Sequence, residues 1–129
     1  MNTLVQDYAF PPTAFLRKNQ PSIYTNRMKT QIIIRDVVML EGEGNYTYFH
    51  MKCGKKILVS RTLKEYCEIF GQYDFVRIRK SHLINLHYLK EIDDLGELSV
   101  IMQTGKRIEI SRRKKIDFNL QFRAFKQKK

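Results

Sequence analysis

From Ser22 onward the apolar positions recur in short unbroken runs or with a period of two, and only twice with the spacing of a helix. Ser22–Thr25 and Thr30–Ile34 are predicted strands around an N-R-M-K turn. Val37–Glu41 is a continuous apolar run, the mark of a central, buried strand. Gly42 and Gly44 loosen the backbone after it. Tyr46–Met51 alternates aromatic with small or polar residues, as a half-buried strand does, and Lys56–Val59 returns after a turn with Gly54 at its tip. Phe75–Ile78, Tyr88–Ile92, Leu98–Met102 and Arg107–Ile110 complete the predicted strands, with apolar character resuming at Leu83, Ile84 and Leu86.

The two helical stretches carry start signals. Thr62-Leu-Lys-Glu65 is a capping box, in which the hydroxyl caps the backbone and the carboxylate reaches back. Leu63, Tyr66, Ile69 and Phe70 follow at helical spacing, and Gly71 fits the stop, giving a helix over about 62–71. Ser111 is placed to cap a second helix over about 112–125. Ile116 and Leu120, with Phe118, Phe122 and Phe125 on a neighbouring stripe, give it an apolar side. The fold class is therefore mainly β with two helices. Residues 1–21 contain Pro11, Pro12 and Pro21 and hold neither period. They read as an extension or linker, either mobile or docked through Phe10 or Phe15, ahead of a domain over 22–129.

Charge sharpens this picture. The 129 residues carry a net charge of +11, which favours a polyanionic partner, nucleic acid before an anionic membrane. The bases crowd the end of the chain, at Lys106, Arg107, Arg112, Arg113, Lys114, Lys115, Arg123, Lys126, Lys128 and Lys129, while acids gather at Glu91, Asp93, Asp94 and Glu97. Cations at a helix start oppose the helix dipole, so the run Arg112–Lys115 asks for an anion. M-K-C-G-K-K-I-L-V-S-R (51–61) echoes M-Q-T-G-K-R-I-E-I-S-R (102–112). Shared turn-strand-cap grammar explains the echo, which sets Arg61 and Arg112 at helix starts suited to phosphate.

Other chemistries find little support. Cys53 and Cys67 make no metal-binding spacing, alone or with His50, His82 and His87, so no metal or cofactor is expected. Ser81 and His82 are adjacent, and on a strand would point to opposite faces, which is poor for a nucleophile and its base. Glu41 and Glu43 share a face without a second constellation to complete a catalytic pair. E-G-E-G-N-Y lacks the residues of a nucleotide loop. With no complete catalytic constellation an enzyme is disfavoured; with no export signal or membrane-spanning run, membrane insertion is not expected, and the expected setting is the cytoplasm with reduced thiols.

Nucleic acid suits the remaining features. Asn45, with Tyr46 beside it, sits at a loop tip; Arg79, Lys80 and Ser81 form a second connection; Ser111, Arg112, Arg113 and Lys115 open the last helix. Arg can read guanine and Asn adenine at the major-groove edge, while serine hydroxyls and lysines hold phosphates. An alternative is an RNA-binding β module using Tyr46, Tyr48 and Phe49. Another is a protein-interaction adaptor using the N-terminal extension.

D-V-V-M-L-E-G-E-G-N-Y (36–46), S-R-T-L-K-E-Y (60–66), F-V-R-I-R-K-S-H-L-I-N-L (75–86) and I-S-R-R-K (110–114), in that order, resemble the LytTR DNA-binding domains of bacterial transcription regulators. The resemblance runs from about Ser22 to about Phe118. It implies an elongated stack of small antiparallel sheets with a flanking helix, binding double-stranded DNA by loops that enter successive major grooves, often at paired direct repeats. The matching loops centre on Asn45-Tyr46, Arg79-Lys80-Ser81 and Arg112-Arg113. Such domains commonly follow a receiver or membrane domain. This chain has room for neither and reads as standalone, leaving a homodimer on DNA or a separate regulatory protein open as further partners.

Overall fold

The computed structural model describes residues 20–27 and 29–128. The expected docking of Phe10 or Phe15 lies outside these residues. The chain divides into two compact units, meeting between Arg35 and Asp36. In the first, β1 (Ser22–Thr25) and β2 (Thr30–Ile33) form an antiparallel hairpin pairing Ser22 with Ile33 and Thr25 with Thr30. Asn26 and Arg27 take positive φ in its turn, and the Ile34 N–H closes on the Pro21 carbonyl at 3.0 Å.

The second unit is built on a five-stranded antiparallel sheet in the order β5-β4-β3-β7-β6. Its strands are β3 (Val37–Glu43), β4 (Tyr46–Met51), β5 (Lys56–Val59), β6 (Phe75–Arg79) and β7 (His82–Asn85). The unbroken apolar run of β3 has a physical reason: Val37, Val38, Met39 and Leu40 are all buried, because the sheet is covered on both faces. On one face lies α1 (Lys64–Gly71). Phe49 meets Tyr66 and Phe70 edge to face, at centroid distances of 5.0 and 5.8 Å, and Phe70 meets Phe75 at 4.9 Å. Such pairs add to area burial through their complementary ring edges and faces.

The other face carries a second core. Met39, Val76, Ile78 and Ile84 pack with Val100, Met102, Ile108 and Ile110 and with Phe118 and Phe125. These come from a three-stranded sheet of β8 (Leu89–Asp93), β9 (Ser99–Met102) and β10 (Arg107–Glu109), and from α2 (Lys115–Gln127). Between the two sheets, buried Asn85 donates to the Val37 carbonyl and accepts from the His87 N–H, both at 2.9 Å, so its amide is satisfied where the chain turns.

The mainly β class with two helices holds, while several details differ from the sequence reading. Strand β3 runs on to Glu43, through Gly42. That glycine is a close approach rather than a loosened backbone, since a Cβ there would stand 3.0 Å from the Leu63 Cβ. The capping box is half made: Glu65 accepts from the Thr62 N–H and hydroxyl, both at 3.2 Å, and that hydroxyl does not cap the helix. Gly71 is the last helical residue, and the left-handed turn falls at Asp74, φ +69°. Ser111 makes no side-chain cap; a 3-10 turn, Arg112–Lys114, precedes α2. Ile116 and Leu120 are exposed, and the buried side of α2 is the Phe118–Phe125 stripe. The two stripes lie too close in sequence for periodicity to rank them.

Asp74 fastens the far end of α2. Its carboxylate accepts from Lys128 at 2.7 Å and from His87 at 3.1 Å. Burial pushes this carboxyl upward, but those two partners outweigh it and hold it below the ordinary value.

Two expectations follow from this packing. Gly42→Ala should destabilise the fold by about 1–3 kcal/mol, because the Leu63 Cβ cannot rotate away; chemical denaturation reads the loss. Asp74→Asn keeps a residue that tolerates positive φ yet removes the charge. It should cost about 1 kcal/mol at pH 7. A carboxyl lowered on folding stabilises above its unfolded pKa, and that gain fades as pH falls through the folded one. The melting curves of variant and native protein should therefore converge in acid, as pH falls below the ordinary carboxylate range.

Candidate nucleic-acid interface

Three basic or polar segments far apart in the chain are held together by backbone hydrogen bonds. The first is the turn between β3 and β4. Glu43 pairs with Tyr46, so Gly44 and Asn45 alone make the loop. Gly44 takes φ +61° and Asn45 no positive φ, which fits a type II′ turn and the twist of the strands it joins. Positive φ therefore does not explain an asparagine here. Asn45 is exposed, and Tyr46 is 50% exposed.

The second segment is the turn between β6 and β7, where Arg79 pairs with His82 and Lys80-Ser81 forms the tip. The register shifts between Arg77 and Arg79, a bulge of the kind that re-aims side chains. Arg77 reaches under the turn and donates from Nη2 to the Lys80 carbonyl at 2.6 Å. Lys80 is exposed, whereas Arg79 is half-buried and donates from Nη1 to the Glu109 carbonyl at 3.2 Å. A guanidinium has five donors, so that bond leaves others for a ligand.

The third segment begins at Ser111. Arg112 and Arg113 are exposed on the 3-10 turn, and Lys115 is half-buried at the start of α2. Ser111 contributes its backbone, its N–H donating to the Ile78 carbonyl, within the bulge of β6, at 2.9 Å. The Gly42 N–H donates to the Ser81 carbonyl at 2.8 Å. One bond thus ties the strand leading into the first segment to the second, and the other ties the third to the strand leading into the second. All nine residues singled out in the sequence belong to these segments.

Some neighbours were not foreseen. Thr47, fully buried, donates from its hydroxyl to the Arg61 carbonyl at 2.7 Å and sets the start of α1 beside the first turn. Ser81 and His82 were expected to diverge, but Ser81 Oγ lies 2.8 Å from His82 Nδ1. Ser81 belongs to the turn, where strand alternation does not apply. Glu41, on β3, lies 2.9 Å from His50 Nε2 and 3.9 Å from His82 Nε2. Only strand register could have revealed that cluster. Among the described residues no group of three His, Cys, Asp or Glu side chains gathers to hold a metal, and no helix is long and apolar enough to cross a membrane.

The family model of the LytTr DNA-binding domain matches residues 28–123. The chain belongs to the LytTr DNA-binding domain family. The resemblance read from four short blocks is thereby borne out, and LytTr is a DNA-binding family, not an enzymatic one. Among solved structures, a chain named as the LytTr DNA-binding domain of a methyl-accepting/DNA response regulator from Bacillus cereus superposes with a TM-score of 0.65. It is 19% identical, and the match covers 79% of this chain and 94% of that one. At that identity the likeness is one of fold. No curated protein matches the LytTr chain described here.

Arg77→Met keeps the aliphatic stem and removes the bond to the Lys80 carbonyl. The loosened turn should expose the Gly42–Ser81 bond more often, speeding exchange of the Gly42 amide hydrogen about fivefold to tenfold, as a loss of about 1 kcal/mol implies. Hydrogen exchange followed by NMR measures it.

Proposed function

We propose that this LytTr domain is a sequence-specific, double-stranded DNA-binding module of a bacterial transcription regulator. Its three segments enter successive major grooves. The observation that carries this reading is the pair of backbone bonds, Gly42 to Ser81 and Ser111 to Ile78, which bring three separate polar or basic segments together. In this reading Asn45, Arg112 and Arg113 face base edges, where an amide or a guanidinium can make paired hydrogen bonds. Tyr46, Arg79, Lys80, Ser81, Ser111 and Lys115 hold phosphates and set the register on the duplex. The domain spans 22–129 with residues 1–21 as an extension. Its sites are paired direct repeats, two copies can meet on the DNA, and a separate protein can regulate them. Its place is the bacterial cytoplasm, at the nucleoid.

The single-stranded RNA reading is weaker. Stacking needs neighbouring exposed aromatic faces. Phe49 is fully buried beneath α1, and Tyr48 is half-buried with the Lys56 ammonium 4.6 Å over its ring. Tyr46 is left as the exposed aromatic of the three.

Duplex binding should weaken steeply with salt, and Lys80→Ala should lower the log–log slope by about 1 without changing which sequence is preferred. Arg113→Ala should cost about 1–3 kcal/mol on the specific site and little on random duplex. Fluorescence anisotropy with specific duplex, random duplex and single-stranded RNA separates the readings. Preference for the RNA would sink the proposal, and equal losses on both duplexes would make Arg113 a phosphate contact.

A further inference from the structure

At the base of the first two segments lies a cluster that meets the nine site residues through Ser81, which hydrogen-bonds His82, and through Arg79, which is paired with His82. Strand pairing sets Glu41 opposite His82 across β3 and β7, and His50 opposite Met39 across β3 and β4, so the three side chains share one face of the sheet. One carboxylate faces two imidazoles, at 2.9 Å for His50 and 3.9 Å for His82. His82 touches the Ser81 hydroxyl, and Ser81 in turn holds Gly42. The side chains are 32%, 21% and 14% exposed for Glu41, His50 and His82, shielded yet still open to protons.

Cations press on this cluster from several elements. Lys56 of β5 acts on His50, Arg79 of β6 acts on His82, and Lys106 of the β9–β10 turn acts on Glu41 and both histidines. Burial pushes both imidazoles below their ordinary value, the Glu41 carboxylate opposes it, and the nearby cations add to the depression. On Glu41 burial acts upward, and the two histidines and Lys106 outweigh it, so the carboxyl is held down and charged. Both imidazoles thus hold a proton less firmly than an ordinary histidine, and a second negative charge nearby would favour their protonation.

The serine supplies a further link. A neutral His82 with its proton on Nε2, toward Glu41, leaves Nδ1 bare, and the Ser81 hydroxyl donates to it. When a proton from solvent occupies Nδ1, that N–H donates to Ser81 Oγ instead. The hydroxyl hydrogen is then released to donate to a phosphate oxygen. Protonation therefore adds positive charge beside the loops and makes Ser81 a phosphate donor.

We propose that DNA binding by this domain is coupled to proton uptake at the Glu41–His50–His82 cluster, so that His50 and His82 act as positioning residues whose protonation strengthens the complex. The inference rests on the reading of the first two segments as DNA contacts. A histidine whose pKa rises on binding strengthens the complex below its free pKa, and the gain is lost as pH rises through the bound pKa.

The test uses the whole chain and a duplex that it selects from a random-sequence pool, at constant ionic strength. Between pH 7.5 and 6 the affinity should tighten about three- to tenfold, the effect of a bound-state pKa raised by about one unit. The double variant His50→Gln/His82→Gln should lose this dependence while still binding at pH 8, and His87→Gln, at Asp74, should keep it. Calorimetry of the unaltered protein in two buffers of different ionisation enthalpy should show proton uptake, a readout that requires no variant to fold. Specific binding with no proton uptake, or the same pH profile in the double variant, would overturn the coupling alone. Absence of duplex binding at pH 8 and low salt would overturn the DNA reading and the coupling with it.

Discussion

The molecule depends on the confinement of strand β3. It has a hydrogen-bonded neighbour along each edge and cover on each face, so nearly every polar backbone group and apolar side chain of Val37–Leu40 has a fixed partner. A slip of one residue would turn Leu40 away from α1 and carry Glu41 into an apolar core. The register is therefore strongly specified, and everything attached to it inherits that precision. Gly42 lies two residues beyond Leu40, close enough to Leu63 that a methyl group would press on it, and its N–H holds the Ser81 carbonyl. The loop tips stand on this strand.

The third segment depends on another balance. Arg112, Arg113, Lys114 and Lys115 place like charges at a helix start, where the dipole disfavours cations. No side-chain cap offsets this. Stability comes from elsewhere: Phe118 and Phe125 are buried in the core, Phe122 stacks on Phe118 at 5.7 Å, and Asp74 holds Lys128 at the opposite end. The helix is anchored by its buried side and its C-terminal end, which leaves its cationic start open to a ligand. In the proposed DNA complex, a segment held in this way loses less ordering entropy on binding.

Much of the fold was legible because its causes are local. A run of four apolar residues needs cover on two sides, an alternating run needs one, and a glycine between charged residues marks a turn. Those rules found nine of the ten strands described from Ser22 to Glu109 to within a residue or two, and the existence of both helices; strand β7 (His82–Asn85) showed only as resumed apolar character, because its short run follows the Lys80-Ser81 turn without a marking glycine. The errors share one cause: they concern which of two local options a distant partner selects. Glu65 could satisfy the Thr62 N–H, but whether the hydroxyl then capped the helix depended on where Leu63 was held. Ile116–Leu120 and Phe118–Phe125 were equally apolar, and only the core decided which stripe went inside.

The sequence by itself determined that the chain is mainly β, strongly basic, and marked by the four blocks of the LytTr DNA-binding domain family, because composition, periodicity and motif order are properties of neighbouring residues. Tertiary structure alone decided that Gly42 meets Ser81, that Ser111 meets Ile78, and that one carboxylate on β3 faces histidines from β4 and β7. These contacts join residues separated by 9 to more than 30 positions, and no local propensity encodes them. They exist because strand register, set by burial of a few side chains, brings particular backbone and side-chain groups within hydrogen-bonding distance.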